Sequence, residues 1–264
     1  MTIEITQTNK NDSFNVAQTE TDVDISFINY QDNLAYMMHT TRCNLTCSYC
    51  HNKRNLSSLD GTPVNQYLET IIDHKYGFDS DIDHIVITGD EPLIEGDNLL
   101  DVLDILKQEN FKIKLDTNGT FPDELEKAIG MLDYIAMDIK WDISSCSKNI
   151  ALTKALGLNN VEIFNFGNKI FESLDILIKS NKEFELRTTL CSPYFDNEDK
   201  FLSFVKLMNG YICYKYGDRL SKKINWYLNI PMLNDDIIYN PKIKHKVLII
   251  EKPPEFTNID LLNR

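Results

Sequence analysis

Short apolar runs of strand type alternate with amphipathic helical segments about six times between residues 33 and 232. The predicted strands cover residues 34–39, 84–89, 111–119, 133–140, 184–190 and 224–230. The predicted helices cover residues 62–77, 97–110, 122–130, 167–182 and 197–210. Because a repeated strand–helix order implies right-handed parallel crossovers, we expect an α/β barrel or an open parallel sheet.

Capping residues predict where several of these helices begin and end. Thr62 followed by Pro63 is expected to begin the first helix, and Asp97 is expected to cap the second. Gly210 is expected to end the last one.

The chain is expected to hold one domain with two flanking segments. Residues 1–32 are polar, so we expect weak structure there apart from a short edge strand at residues 25–30. Residues 33–232 form the predicted domain, because no repeat or low-complexity linker divides them. Residues 233–264 form a C-terminal extension with a candidate strand at residues 246–250.

Composition and charge exclude several classes of protein. Of the 264 residues, 42% are apolar and 25% are charged, as in ordinary globular proteins. The net charge of −13 repels phosphate backbones and disfavours nucleic-acid binding. No apolar run is long enough to span a membrane, and the polar N-terminus lacks the order of a secretory signal. We therefore expect a cytoplasmic protein with no membrane partner.

Polar clusters follow the predicted strands at their carboxyl ends. Three cysteines follow the first strand and "TGDEP" follows the second, while "DTNG", "MDIK" and "RTT" mark the ends of the next three. Since parallel strands present their carboxyl ends at one edge, the chemistry is expected there.

Three of the six cysteines lie within the stretch "RCNLTCSYCHN". Cys43, Cys47 and Cys50 suit a metal or an iron–sulfur cluster, whereas a structural zinc site usually takes four protein ligands. Zinc with His51 as the fourth ligand is the weaker alternative, because Cys50 and His51 are adjacent. An iron–sulfur cube held by three cysteines leaves one iron open to a substrate or cofactor. The scattered cysteines are expected to be buried small apolar residues: Cys146, Cys191 and Cys213.

The spacing C-x-x-x-C-x-x-C at the end of a first strand resembles the radical S-adenosylmethionine (radical SAM) enzymes. The resemblance covers roughly residues 34–230 and implies an α/β fold, a partial (β/α)6 barrel of parallel strands with outer helices. It also implies that Cys43, Cys47 and Cys50 ligate a [4Fe-4S] cluster, whose fourth iron is chelated by the amino and carboxylate groups of SAM. The cluster would then cleave SAM reductively to a 5′-deoxyadenosyl radical that abstracts a hydrogen atom.

The stretch "TGDEPL" resembles the G-G-E-P stretch of that family, which contacts the SAM amino group. The resemblance assigns Gly89, Asp90 and Glu91 to the SAM site, with Glu91 as the preferred polar contact. Asp90 stands where the family usually has a second glycine. The alternative is an ordinary strand-to-helix turn.

The segments "YCHN", "KLDTNGT", "DYIAMDIK" and "FELRTT" together resemble the glycyl-radical-enzyme activases. The resemblance places the following residues at SAM: Tyr49, His51, Asp116, Thr117, Asn118, Asp138, Lys140 and Arg187. Asp116 and Thr117 fall where a related activase binds a monovalent cation. Asp138 and Lys140, two residues apart, are expected on one face of the strand. A solvated ion pair is the alternative for Asp138 and Lys140, and turn capping is the alternative for Asp116.

Among activases, the segments are most similar to the activating proteins of anaerobic ribonucleoside-triphosphate reductase. This implies that the protein abstracts a glycine Cα hydrogen from that partner, with a flavodoxin or ferredoxin as electron donor. Two features depart from the activases: Arg42 replaces a common glycine, and "NWYLNIPMLN" lacks a histidine that touches SAM in some members.

Two other functions stay open. One is a radical SAM enzyme for a small molecule, such as 7-carboxy-7-deazaguanine synthase, which more usually has Asp-Thr where this chain has His51-Asn52. The other is a non-enzymatic iron–sulfur or zinc module.

Overall fold

The structure is a computed structural model that describes most of the chain. The described residues are 14–17, 23–30, 33–50, 61–77, 82–143, 150–189, 198–216, 224–229 and 259–262. By its contacts the chain divides into two compact units. The first comprises Met1–Asn44, Asn52–Thr117 and Asp123–Ile135. The second comprises Leu45–His51, Asn118–Pro122 and Ala136–Arg264.

Strands and helices alternate through most of the described residues. The strands are β1 Asn15–Val16, β2 Ile25–Tyr30, β3 Asn33–Thr40, β4 Thr62–Pro63, β5 His84–Gly89, β6 Lys112–Thr117, β7 Tyr134–Asp138, β8 Glu183–Thr189, β9 Asn225–Asn229 and β10 Ile259–Leu262. The α-helices are α1 Val64–Tyr76, α2 Asp97–Gln108, α3 Pro122–Ala128, α4 Ile150–Leu156, α5 Asn160–Lys179 and α6 Glu198–Tyr216. Two 3-10 helices span Pro92–Glu95 and Ile129–Met131.

In the first unit, strands pair in the order β4-β1-β3-β5-β6. β3, β5 and β6 run parallel, whereas β1 and β2 pair with β3 antiparallel. The β5 residues Ile85, Val86 and Ile87 are fully buried, as expected for a parallel strand that is covered on both faces. Leu68 of α1 and Leu103 of α2 are also fully buried, so the helices bury their apolar faces in this core.

In the second unit, β8, β9 and β10 run parallel to one another. The residue after β7, Ile139, donates its backbone N–H to the Arg187 carbonyl of β8 at 2.7 Å. The buried Trp226 of β9 donates its indole N–H to Thr188 Oγ1 at 3.0 Å and packs edge-on against Phe204 of α6. A polar partner for the indole and an apolar one for its ring fix this side chain in the core.

The structure corrects two expected helix starts. Pro63, not Thr62, is the N-cap of α1, because Thr62 pairs with Val16 in the two-residue strand β4. Gly96, not Asp97, is the N-cap of α2, since Gly96 takes a φ of 57° as the chain leaves the preceding 3-10 helix. Both starts depend on neighbouring structure that local sequence does not encode.

Two other helix ends also differ from expectation. α5 begins at Asn160 rather than residue 167, and its N-terminus is closed by a capping box between Asn159 and Glu162. α6 continues past Gly210 to Tyr216, because Ile212 extends the buried face and Gly210 lies exposed. A glycine in a helix is tolerated when the apolar face continues beyond it.

Sequence reasoning missed several elements at the edges of the chain. The edge strand at residues 25–30 is confirmed as β2, but β1 also lies within the segment expected to be weakly structured. Phe14 and Val16 are buried there, which ties this part of the N-terminal segment to the core. The short helix α4 and the strand β10 were not expected. The candidate strand at residues 246–250 lies outside the described residues.

Among the helices of the described residues, none combines the length and the apolar character needed to cross a membrane.

Candidate cofactor site

The three clustered cysteines lie on the loop that follows β3. In the second unit, Cys50 donates its backbone N–H to the Cys47 carbonyl at 3.1 Å, which makes C-x-x-C a turn. Cys47 is buried, and Cys50 is half-buried. Cys43, on the first unit, is also half-buried. All three are thiols rather than halves of a disulfide, so all three remain available as ligands.

α4 anchors the second half of this loop. Thr46 donates its backbone N–H to the Leu156 carbonyl at 3.0 Å. The next residue, Gly157, has a φ of 73°, and a Cβ there would overlap the Thr46 side chain. Glycine is therefore required at position 157 for the loop to approach the end of α4.

Asp138 and Lys140 lie close together, but β7 ends at Asp138, so Lys140 is not on the strand as expected. Lys140 Nζ lies 2.7 Å from Asp138 Oδ2, and the side chains are 19% and 37% exposed. Burial acts to lower the pKa of Lys140, but the charge of Asp138, with contributions from Tyr49 and Cys47, outweighs it and raises that pKa. Lys140 thus stays an ammonium, and its attraction to Cys47 stabilises negative charge on that sulfur.

Arg187 forms a close pair with Glu185 on the same strand. Its Nε donates to Glu185 Oε1 at 2.5 Å, and its Nη2 also contacts that oxygen. The two side chains are 15% and 5% exposed. The neighbouring Glu185 carboxylate therefore binds much of the Arg187 guanidinium. This favours a role for Arg187 in positioning the residues around it.

Asn118 shapes the turn that follows β6. Its side-chain oxygen accepts hydrogen bonds from the backbone N–H and the hydroxyl of Thr120, at 3.0 and 2.7 Å. Asp116, the expected alternative for this role, instead accepts from Thr88 Oγ1 at 3.0 Å and lies 3.7 Å from Lys114 Nζ. Asn118 therefore caps the turn that follows β6.

In the first unit, Gly89 lets β5 end close against β3. Its φ is 98°, and a Cβ would lie 2.6 Å from the Thr40 nitrogen and 2.7 Å from the Thr40 oxygen. Asp90 donates its backbone N–H to that oxygen at 3.2 Å. Asp90 itself does not take a positive φ, so the aspartate fits the backbone without strain.

Glu91 is fully buried and holds the turn together. Its backbone N–H donates to the Arg42 carbonyl at 2.9 Å. Its Oε1 accepts from the Leu93 N–H at 3.2 Å and from Thr117 Oγ1 at 2.8 Å. Glu91 thus caps the 3-10 helix, and Thr117 braces it from β6.

Arg42, the residue before the first cysteine, forms an ion pair with Glu95. Arg42 Nη1 lies 3.2 Å from Glu95 Oε2, and the side chains are 50% and 1% exposed. Burial raises the pKa of Glu95, and Arg42 opposes that rise. In the sequence, Arg42 stands out only because it replaces a glycine that is common in the activases. The acidic residue Glu95, in the turn after "TGDEP", is the sequence feature that could have predicted the ion pair.

Asp90 has a buried carboxylate without a partner among the described residues. Both oxygens, Oδ1 and Oδ2, are inaccessible and accept no hydrogen bond there. Burial raises the pKa of Asp90 to about 7. A carboxylate in this state needs a proton or a cation.

Tyr49 and His51 are the remaining predicted SAM contacts. The Tyr49 side chain is 6% exposed and lies near enough to Lys140 to affect its pKa. His51 lies outside the described residues. Three thiols on one loop suit iron, which fits a cluster. In the first unit, the Asp90 carboxylate has the charge that suits a cationic group of SAM. In the second unit, the Lys140 ammonium has the charge that suits the SAM carboxylate.

A radical SAM methyltransferase from Sphaerobacter thermophilus superposes with a TM-score of 0.57 at 15% identity, covering 91% of this chain and 68% of the other. That likeness confirms the expected fold class, the partial (β/α)6 barrel with parallel strands.

Sequence comparison gives the family. Residues 37–140 match the Radical SAM superfamily. A Methanocaldococcus jannaschii protein, provisionally named a glycyl-radical enzyme activating enzyme, is 32% identical over 180 residues, which are 67% of this chain and 70% of the relative. A pyruvate formate-lyase-activating enzyme from Staphylococcus aureus is 27% identical over 188 residues, which are also 67% of this chain and 70% of the relative.

These findings define an iron–sulfur enzyme class that uses a [4Fe-4S] cluster and SAM. The chain belongs to the radical SAM superfamily and is a radical SAM enzyme of the glycyl-radical-enzyme-activating type.

Proposed function

We propose that this protein activates an anaerobic ribonucleotide reductase in the cytoplasm by removing a glycine Cα hydrogen from it. The observation that carries the proposal is the loop after β3, with three thiols and no fourth cysteine beside them. Thiols spaced this closely along the sequence suit a cluster in a reducing compartment.

Cys43, Cys47 and Cys50 would hold the [4Fe-4S] cluster, as thiolates. The turn from Cys47 to Cys50 sets the spacing of two ligands, and Lys140 stabilises the negative charge on Cys47. When bound, the cluster and SAM supply a one-electron cleavage that yields a carbon radical able to abstract a hydrogen atom.

Seven of the remaining predicted contacts are assigned to one of two roles, contact with SAM or positioning. We assign Tyr49 and Lys140 to direct contact with SAM, where the ammonium would pair with the SAM carboxylate. Asp138 holds that ammonium at 2.7 Å. Glu91, Thr117, Asn118 and Arg187 are assigned to positioning, because their side chains make hydrogen bonds or ion pairs within their own units.

The choice of partner rests on sequence resemblance. The segments around Tyr49, at residues 114–120, at residues 133–140 and at residues 184–189 are most similar to activating proteins of anaerobic ribonucleotide reductase. The names of the relatives support a glycyl radical enzyme as the protein substrate, and one of them names pyruvate formate-lyase. A reduced flavodoxin or ferredoxin is the proposed electron donor.

A partner competition tests this proposal. The cluster-loaded protein is reduced anaerobically and mixed with SAM and either anaerobic ribonucleotide reductase or pyruvate formate-lyase. We expect a glycyl doublet in the electron paramagnetic resonance spectrum of the reductase alone. A doublet only in the lyase would reassign the partner. SAM cleavage that gives no doublet in either protein would instead favour a small-molecule substrate and contradict the proposal.

A further inference from the structure

Lys114 of β6 is a buried lysine in the first unit. Its side chain is only 2% exposed, and its ammonium donates to the Asn29 carbonyl at 2.5 Å. The ammonium also lies 5.4 Å from the centre of the Tyr134 ring and 3.7 Å from Asp116 Oδ1. A buried ammonium is unfavourable unless it is paired, so the Asn29 carbonyl and the Asp116 carboxylate stabilise this charge inside the protein.

Lys114 and Asp116 are two residues apart on β6 and therefore lie on one face of the strand. From the neighbouring strand β5, Thr88 donates its hydroxyl to Asp116 Oδ2 at 3.0 Å. The Asp116 carboxylate thus has a hydroxyl at one oxygen and an ammonium near the other. Because the Asn29 carbonyl also binds that ammonium, the positive charge beside Asp116 is a fixed part of the fold.

The surroundings of Asp116 and Thr117 do not fit a monovalent cation, which a related activase binds at the matching positions. Hard cations take several oxygen ligands at once. The Thr117 side chain is buried and donates its hydroxyl to Glu91 Oε1 at 2.8 Å. Asp116 Oδ2 accepts from Thr88, and a cation at Oδ1 would be repelled by the Lys114 ammonium.

We propose that the Lys114 ammonium takes the place of a monovalent cation beside Asp116, so that SAM binding by this protein needs neither potassium nor sodium. This inference rests on the proposed function, because the resemblance behind that function is what places Asp116 at SAM. SAM carries a carboxylate, which an uncompensated Asp116 would repel. An ammonium two residues away on the same strand removes that repulsion without a bound ion.

The test compares SAM binding in two salts. Anaerobic titration calorimetry of the oxidised, cluster-loaded enzyme is run in potassium chloride and in tetramethylammonium chloride at equal ionic strength, because tetramethylammonium is too bulky to replace potassium at a buried carboxylate. Wild type is compared with Lys114→Met and with the control Lys112→Met, which removes an exposed lysine from the same strand. Iron content and circular dichroism establish that each protein is loaded and folded.

The expected results differ between the variants. Wild type and the control should bind SAM with the same affinity in both salts. Lys114→Met should bind SAM about tenfold or more weakly in tetramethylammonium chloride, and potassium chloride should restore most of that loss, because potassium then supplies the missing charge.

A double variant, Lys114→Met with Asp116→Asn, removes both charges of the pair. Its SAM affinity should not depend on the salt, because no carboxylate remains to be neutralised. If Lys114→Met alone fails to load iron, wild type and the double variant decide the question, since neither contains an uncompensated Asp116.

Four outcomes overturn the inference alone. A wild type that binds SAM tenfold more weakly without potassium would show that a cation is still needed. Wild-type affinity of Lys114→Met in both salts would show that the ammonium does not act on SAM, and an equal loss in both salts would show that it does not replace a cation. A double variant whose affinity depends on potassium would place the cation elsewhere.

Failure of the proposed function gives a different result. A loaded wild type that binds no SAM in either salt would overturn the proposed function together with this inference.

Discussion

The turn that follows β5 and the cysteine turn of the second unit are stabilised in different ways. The first, residues 89–95, is held by close backbone contacts and by buried polar side chains such as Glu91, which is fully buried. The second, Cys47–Cys50, has the half-exposed ion pair Asp138–Lys140 beside it. Close packing and buried polar groups therefore control the first region, and its substitutions should change stability. Charge dominates the second, whose substitutions should change chemistry more than stability.

Gly89→Ala should produce the largest change in stability. The new Cβ would meet the Thr40 backbone at 2.6 and 2.7 Å, at a φ of 98°. We expect the free energy of unfolding to fall by about 3 kcal/mol, measured by urea denaturation.

Gly96→Ala is the matched control, because Gly96 also has a positive φ but a Cβ added there would have no other atom within 4 Å. The control should lose only about 1 kcal/mol. Equal losses would show that the close approach to Thr40 does not matter.

Asp90→Asn should stabilise the protein without SAM, by an amount that grows as the pH rises from about 4 to 7 and is constant above it. The folded carboxyl has its pKa raised to about 7, so the folded state binds more protons than the unfolded state and stability falls as the pH rises from about 4 to 7. Asparagine removes that loss. After a discount for partial exposure, we expect a gain of about 2 kcal/mol at pH 8 and none at pH 4. A gain that is constant across pH would contradict the assignment to the carboxylate.

Arg42→Ala should lower stability by about 1 to 2 kcal/mol at pH 8, because it leaves the Glu95 carboxylate buried without its partner. Burial already raises the pKa of Glu95, and loss of Arg42 raises it further. The folded state then holds the extra proton, so the loss should grow with rising pH and be small at acidic pH.

A double-mutant cycle isolates the Arg42–Glu95 pair. In a Glu95→Gln background, Arg42→Ala should have almost no effect, since no buried charge remains to be paired. An undiminished effect would mean that Arg42 stabilises the loop through its packing rather than through its charge.

Lys140→Met should change stability least, by about 0.5–1 kcal/mol, since its ion pair is partly exposed. Its effect on iron incorporation should be larger, because Cys47 loses a stabilising positive charge. Lys127→Met, which breaks the exposed pair with Asp97, is the control and should change neither. If Lys140→Met loads iron as well as wild type does, charge at this position does not matter for the cluster.

Much of the fold follows from sequence pattern alone. The buried strand β5 reads as a β-branched apolar run. Asp138 and Lys140 do lie close together, although β7 ends at Asp138 and Lys140 lies beyond it. The start of α1 was missed, because Thr62 is taken by pairing with β1. The strand β10 was also missed, since its place beside β9 is a contact between residues far apart in the chain.

The site was predictable in its residue types but not in its contacts. The cysteine spacing predicts the proposed cluster ligands, because chemistry restricts which residues bind iron. The roles of Glu91, Asn118 and Arg42 were not predictable, because each depends on a partner brought near by folding. Asp90 was visible as a departure from glycine, but only the structure shows that its carboxylate is buried without a partner among the described residues.

The most direct test of the account is SAM cleavage by three forms of the anaerobically reconstituted protein. Wild type, Cys47→Ala and the control Cys213→Ala, on α6, are loaded with iron and sulfide, reduced with dithionite and given SAM. We predict about four irons per chain and 5′-deoxyadenosine formation in wild type and the control, and loss of both in Cys47→Ala. A Cys47→Ala variant that keeps its iron and cleaves SAM at the wild-type rate would contradict the assignment of the loop as the cluster site.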